Sequence, residues 1–235
     1  MSSPAVDAQS YPYYSICLDV KDRLCVVAGG GDVARRKAAS LVECQAKVRV
    51  ISPKLDSVLE YMAFQHEVEW IERGFEPKDL EGAFMVIAAS EEPAQNQEIA
   101  KICKQKGILC NIYDHPEDSD FINPTTIDRG ALVIAVSTAG LSPNLAAQIR
   151  QELEVMYGEE YGTFLEMVAR LRPTIQRIFP EPFQRQKIND RMVSSRALDL
   201  LQAGMVEEAQ KELQRIVDEA RRDPGMQSNA SLSVM

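Results

Sequence analysis

The run Cys110-Asn111-Ile112-Tyr113-Asp114-His115-Pro116-Glu117-Asp118-Ser119-Asp120 passes from an apolar strand into one imidazole and four carboxylates. Groups of this kind at a strand end are placed to move protons, since each can hold or release one as a reaction demands. Asp114, two residues past the apolar run, is the candidate base, although a turn carboxylate is the alternative for any Asp in such a loop. His115 is its rival, as an accessory base or a passing metal ligand. Glu117, Asp118 and Asp120 read as a solvated turn, because no apolar residue interleaves them. With His66 and His115 the only histidines, no fixed protein metal site is predicted.

A second constellation is Gly29-Gly30-Gly31-Asp32-Val33-Ala34, a G-x-G-x-x-A pattern between an apolar strand and an amphipathic helix. Gly29 permits the tight turn, Gly31 lets a pyrophosphate approach the backbone, and Ala34 lets helix and strand pack closely. The free N–H groups at the helix start, through Asp32 and Val33, would hold the phosphates. The next strand ends in Ile51-Ser52-Pro53-Lys54 without the usual acidic residue for the adenosine ribose. Ser52 could bond a ribose hydroxyl and Lys54 could favour a 2'-phosphate, so these residues are compatible with either NAD or NADP.

The elements that must carry these groups alternate. Apolar runs predict strands at 24–28, 47–51, 68–71, 84–88 and 108–112, with helices at 33–44, 55–62 and 94–106 between them. Nearly continuous apolar strands joined by helices mean a parallel sheet covered on both faces, an α/β class of Rossmann type. After Asp114 the pattern changes to short strands at 121–122, 125–127 and 131–137, with Asp128-Arg129-Gly130 as a tight turn. Helices follow at 145–157, 161–171, 182–192 and 206–221, punctuated by Pro173, Pro180 and Pro182, and the polar tail from Asp223 to Met235 is expected to fray.

A net charge of -9 argues against nucleic acid, which needs an excess of Lys and Arg on some face. No apolar run is long enough for a membrane span, and the amino terminus lacks the parts of a signal peptide, so a cytoplasmic protein is expected. Cys17, Cys25, Cys44, Cys103 and Cys110 form no C-x-x-C pair and are read as buried reduced thiols.

Five blocks of residues together resemble the precorrin-2 dehydrogenase family, which includes the amino-terminal part of siroheme synthase: Tyr14 to Leu18, Val26 to Lys37, Cys110 to Asp114, Phe121 to Pro124 and Ala135 to Pro143. The resemblance covers about residues 12–200. It implies NAD-dependent oxidation of precorrin-2 to sirohydrochlorin, and in some members insertion of ferrous iron to give siroheme. It also implies a homodimer divided into an NAD-binding Rossmann domain over 1–113, a dimerisation and active-site segment over 114–148, and a helical domain over 149–235. The alternatives are a dehydrogenase without chelatase activity and a non-catalytic NAD(H)-sensing module. The family's catalytic aspartate matches Asp114, and its nucleotide contacts match Asp32, Val33, Pro53 and Lys54. Asn111, Ser137 and Thr138 fall in blocks assigned to the substrate cleft, although Ala139 stands where the family usually has glycine. The implied substrate is a polycarboxylate, and between Tyr161 and Arg196 there are seven basic residues against three acidic ones. Arg185 and Arg191 are therefore expected to receive substrate carboxylates.

Overall fold

The structure, a computed structural model, describes residues 13–113 and 115–227. Contacts divide the chain into two units, Met1–Asn123 with Ala139–Leu141, and Pro124–Thr138 with Ser142–Met235. The first break thus falls ten residues later than the one expected after residue 113, because residues 119–121 are hydrogen-bonded to the last strand of the first unit.

The first unit runs β1 (Leu24–Ala28), α1 (Asp32–Glu43), β2 (Lys47–Ile51), α2 (Ser57–Phe64), β3 (Val68–Ile71), β4 (Met85–Ala88), α3 (Pro93–Lys106) and β5 (Leu109–Ile112). All neighbours pair in parallel, in the order β3-β2-β1-β4-β5. Side chains alternate across the sheet. Cys25, Val27, Val48, Val50, Met85 and Ile87 pack with Ala34, Ala38 and Leu41 of α1 and with Leu59 and Met62 of α2. Val26, Ala28, Val86, Ala88, Cys110 and Ile112 turn the other way, against Ile99 and Cys103 of α3. This two-sided burial is what the continuous apolar strands predict, and it is the Rossmann arrangement. The order reverses between β1 and β4, so a cleft opens where their carboxyl ends diverge.

The second unit begins with an antiparallel hairpin of β6 (Thr125–Arg129) and β7 (Leu132–Val136), turned by Gly130 and Ala131. Gly130 has φ +67° and its N–H donates to the Asp128 carboxylate; Asp128 and Arg129, expected in the turn, are the last residues of β6. Five helices and a final turn follow: α4 (Pro143–Met156), α5 (Glu159–Ile178), α6 (Pro182–Val193), α7 (Ala197–Gln202), α8 (Val206–Arg222) and α9 (Pro224–Gln227). Pro173 does not end α5. Phe164, Met167 and Ile175 form one buried stripe running past it, and their burial offsets the lost backbone bond. Gly162 is needed because a Cβ there would strike the Arg129 carbonyl of β6. At the start of the tail expected to fray, Met226 is instead buried and its carbonyl accepts from the Gln184 side chain; residues 228–235 lie outside those described.

Among the described residues no helix is long and apolar enough to cross a membrane. Cys25, Cys103 and Cys110 are buried as read, but Cys17 and Cys44 are exposed, because one lies in a segment outside any helix or strand and the other ends α1. Burial pushes the Cys25 thiol up to about 11, and the hydrogen bond with Cys103 together with burial pushes Cys110 up, so neither is a ready nucleophile.

Candidate functional site

The glycine turn shows which of its residues is required by the fold and which by a ligand. Gly29 has φ +132°, and a Cβ on it would run into the Ala89 backbone after β4. A Cβ on Gly30 would meet the Lys54 carbonyl and the Ser52 hydroxyl after β2. A Cβ on Gly31 would meet nothing within 4 Å, so the space there is available to something outside the protein. No side chain caps the start of α1, which leaves its first N–H groups directed at that space. Asp32, in this first turn, turns its carboxylate back along the helix to Arg35 and, at 3.1 Å, to Arg36. The Arg35 guanidinium holds the Asp32 carboxyl below the usual range. Ala34 is fully buried against the sheet, as the pattern requires.

Gly29, Gly30 and Gly31 line a cleft of about 460 Å³ with Ser52, Pro53 and Lys54, while Asp32 and Val33 open the adjoining helix. Ser52 is buried, donates its hydroxyl proton to the Lys54 carbonyl at 2.6 Å, and therefore shapes the turn instead of offering that proton to a ribose. The Trp70 indole donates to the Ser52 carbonyl at 2.9 Å, and the Asp56 N–H donates to the Gly30 carbonyl at 2.8 Å. These bonds fix the end of β2 to the glycine turn.

Several lining residues carried no sequence signal. Gly74 and Phe75 form one wall, and Ser90, Glu91, Glu92 and Gln95 form the part beyond β4. The wall at 74–75 is held by Arg73, which makes paired hydrogen bonds to the buried Asp79 at 2.8 and 2.5 Å. The Glu76 N–H donates to the same carboxylate at 2.8 Å. The Arg73 guanidinium holds the Asp79 carboxyl below the usual range, burial opposing it and the Glu76 N–H assisting. On the far side, Asn96 receives the Ser90 N–H and donates to the Ser90 carbonyl, both at 3.0 Å.

The acidic segment after β5 is bonded to that strand. In a parallel sheet alternate residues face each neighbour, so Cys110 and Ile112 direct their backbone groups away from β4. The Cys110 N–H donates to the Asp120 carboxylate at 2.9 Å, and the Asp120 N–H returns a bond to the Cys110 carbonyl at 2.8 Å. The Ile112 N–H donates to the Ser119 hydroxyl at 2.8 Å, which itself donates to the His115 carbonyl at 2.8 Å. The Asn111 amide donates to the Phe121 carbonyl at 2.9 Å. Asp120 is therefore not simply a solvated turn residue, and 121–122 is a tied-back coil instead of a strand. Asp114, the candidate base, lies outside the described residues. His115 Nδ1 stands 3.2 Å from Glu117, whose own backbone N–H, followed by His115, holds its carboxyl below the usual range. His115, Glu117 and Asp118 bring one potential ligand atom each within 4.8 Å of one another on an exposed turn.

In the second unit, Thr138 donates to the Ser142 carbonyl at 3.0 Å and accepts the Ser142 N–H at 3.1 Å, closing the turn before α4. Inside that turn Ala139 has φ +53°, a left-handed conformation that explains why glycine suits the position. Ser137 is exposed at the end of the hairpin. Arg185 donates through Nη1 to the Phe179 and Pro180 carbonyls at the end of α5, and Arg191 pairs with Glu219 of α8 at 2.6 Å. Both arginines thus have structural partners within their own unit. Arg185 with Arg172, Gln176 and Asn189 forms the polar rim of an otherwise apolar groove of about 400 Å³ between α5 and α6.

Residues 16–125 match a model described as putative NAD(P)-binding, 129–156 one described as the sirohaem biosynthesis protein central region, and 160–217 one described as the sirohaem synthase dimerisation region. The last falls in the helical part, whereas the family resemblance implies dimerisation through 114–148. Siroheme synthase of Methylococcus capsulatus is 35% identical over 210 residues, which are 89% of this chain and 44% of that protein. Siroheme synthase 1 of Serratia proteamaculans is 31% identical over 221 residues, covering 94% and 46%. The chain thus spans less than half the length of these relatives. The solved structure of SirC, precorrin-2 dehydrogenase, superposes with a TM-score of 0.70 at 22% identity, covering 86% of this chain and 100% of that one, which is a likeness of fold.

Proposed function

The chain belongs to the family formed by the amino-terminal part of siroheme synthases, and on that premise we propose that it oxidises precorrin-2 to sirohydrochlorin with NAD as the hydride acceptor. The observation that carries the proposal is the run of three successive family matches over residues 16–217, on a sheet whose glycine turn leaves an open, uncapped helix start.

A dinucleotide fits the residues present. The backbone at Gly31, Asp32 and Val33 would hold the pyrophosphate, Pro53 and Lys54 would border the adenosine, and Gly29 brings the turn against the end of β4. When bound, the nicotinamide supplies a hydride acceptor, which leaves the protein to orient the tetrapyrrole and take up a proton. We assign that proton to Asp114, which follows β5 after Tyr113, with His115 as the neighbouring accessory group. Ser119, Asp120 and Asn111 support this role by fixing the chain on either side of it.

The proximity of His115, Glu117 and Asp118 favours a second reaction, insertion of ferrous iron as a substrate. Metallation expels pyrrole protons, so the same carboxylate can serve both reactions. Substrate carboxylates would meet Ser137, Thr138 and the donors of Arg185 and Arg191 that their structural partners leave open. We assign homodimer formation to residues 160–217, from the description of the matching model.

The test is Asp114→Ala. The variant should bind NAD as the wild type does and form no NADH or sirohydrochlorin from precorrin-2; turnover at the wild-type rate would remove Asp114 from the mechanism. Wild-type protein that bound nucleotide but never turned over precorrin-2 would instead be a sensor. Incubating sirohydrochlorin with ferrous iron decides the second reaction.

A further inference from the structure

We propose that Asp56 is the residue by which the cleft selects a nucleotide with a free adenosine 2'-hydroxyl and rejects one carrying a 2'-phosphate. The proposal rests on the nicotinamide-cofactor reading above. In sheets of this kind the adenosine ribose lies beyond the end of β2, where a carboxylate usually accepts its hydroxyls. Strand β2 ends at Ile51 without one, and Asp56 is the first carboxylate that follows. It lines the cleft with the three glycines, and its N–H bond to the Gly30 carbonyl ties it to the phosphate-binding turn.

The bonding of this carboxylate suits it to the task. One oxygen caps α2, accepting from the Val58 and Leu59 N–H groups at 3.1 and 2.8 Å. The other lies 3.3 Å from Arg35 Nε and retains capacity to accept a further hydrogen bond. A ribose hydroxyl can donate there. A phosphate has no comparable proton to give and carries the same sign of charge.

Asp56 also acts through Arg35. A guanidinium near the adenosine site is the usual means of accommodating a 2'-phosphate. Here Arg35 is shared between Asp32 and Asp56, and Arg36 is paired to Asp32 at 3.1 Å. Among the cleft's lining residues Lys54 is the single cation, against the carboxylates of Asp56, Glu91 and Glu92. That balance opposes a 2'-phosphate, and Asp56 is the carboxylate of the three that follows β2.

Isothermal titration calorimetry of the full chain with NAD and with NADP tests this. Wild type should prefer NAD. Asp56→Asn preserves a good helix cap while removing the charge, and should narrow the preference about tenfold by a gain in NADP affinity. Adding Arg35→Ala should take back part of that gain, because Arg35 would be freed to meet the phosphate. Asp56→Ser, another capping residue, gives an independent variant, and thermal melts check that each is folded. An unchanged preference in both folded Asp56 variants, or a wild type that prefers NADP, would overturn the assignment. Wild-type protein that binds neither nucleotide overturns the cofactor reading and this inference with it.

Discussion

The nucleotide cleft and the acidic segment after β5 are both built at strand ends of the same sheet, yet from different materials. The cleft is made by backbone: three glycines, an uncapped helix start and, at Gly29 and Gly30, carbonyls that leave no room for a Cβ. The segment after β5 is made by side chains, with Asp120, Ser119 and Asn111 bonding main chain across the loop. A backbone site works by what is missing from it, so substitution adds unwanted atoms. A side-chain site works by what is present, so substitution leaves partners unmet.

That contrast predicts graded outcomes. The largest is at the glycines. Gly29→Ala should destabilise the protein by about 3 kcal/mol in chemical denaturation, through strain and the Ala89 clash. Gly31→Ala should leave stability within about 0.5 kcal/mol yet weaken nucleotide binding roughly 100-fold, its new methyl standing where a phosphate must pass. Equal loss of stability in both variants would break the distinction between fold-required and ligand-required glycine.

Next comes Asp79→Asn, expected to cost about 2 kcal/mol because Arg73 and the Glu76 N–H lose a charged acceptor. Since the folded Asp79 carboxyl is held below its usual range, its contribution is complete above the unfolded value of about 4 and is lost as pH falls through the lower folded value. Acid titration of stability should therefore show a step below about pH 4 in wild type that is absent from Asp79→Asn. The smallest effect is Asp120→Ala, about 1 kcal/mol, from orphaning the Cys110 N–H. If nucleotide affinity fell with it in parallel, the segment and the cleft would not be separable.

The cleft was legible and the segment was not, for the same reason. A glycine turn between a strand and an amphipathic helix is a local signal, and Gly29, Gly31 and Ala34 have the environments their spacing predicts. The bonds of Asp120 and Ser119 to β5 depend on loop geometry that no period encodes, so Phe121 and Ile122 read as a strand and Asp120 as solvent-facing. Asp56 was missed because its role arises from the turn that Ser52 and Gly30 create, not from its position relative to the motif. Pro173 misled for another reason: the apolar stripe on either side of it outweighs its local preference. Arg185 and Arg191 are expected from a local cationic excess to receive substrate carboxylates, but sequence does not reveal that Glu219 and the end of α5 already engage them.

The loop bonds to Cys110 and Ile112 carry a consequence of a different kind. β5 is an outer strand of the sheet, and its outward N–H and carbonyl groups would otherwise form a template for a strand from another chain. By filling those positions, Asp120 and Ser119 shield this edge from such pairing as well as tying the loop to β5. Mutations that loosen this loop would therefore also uncover an adhesive edge, so solubility itself limits what can change at these residues.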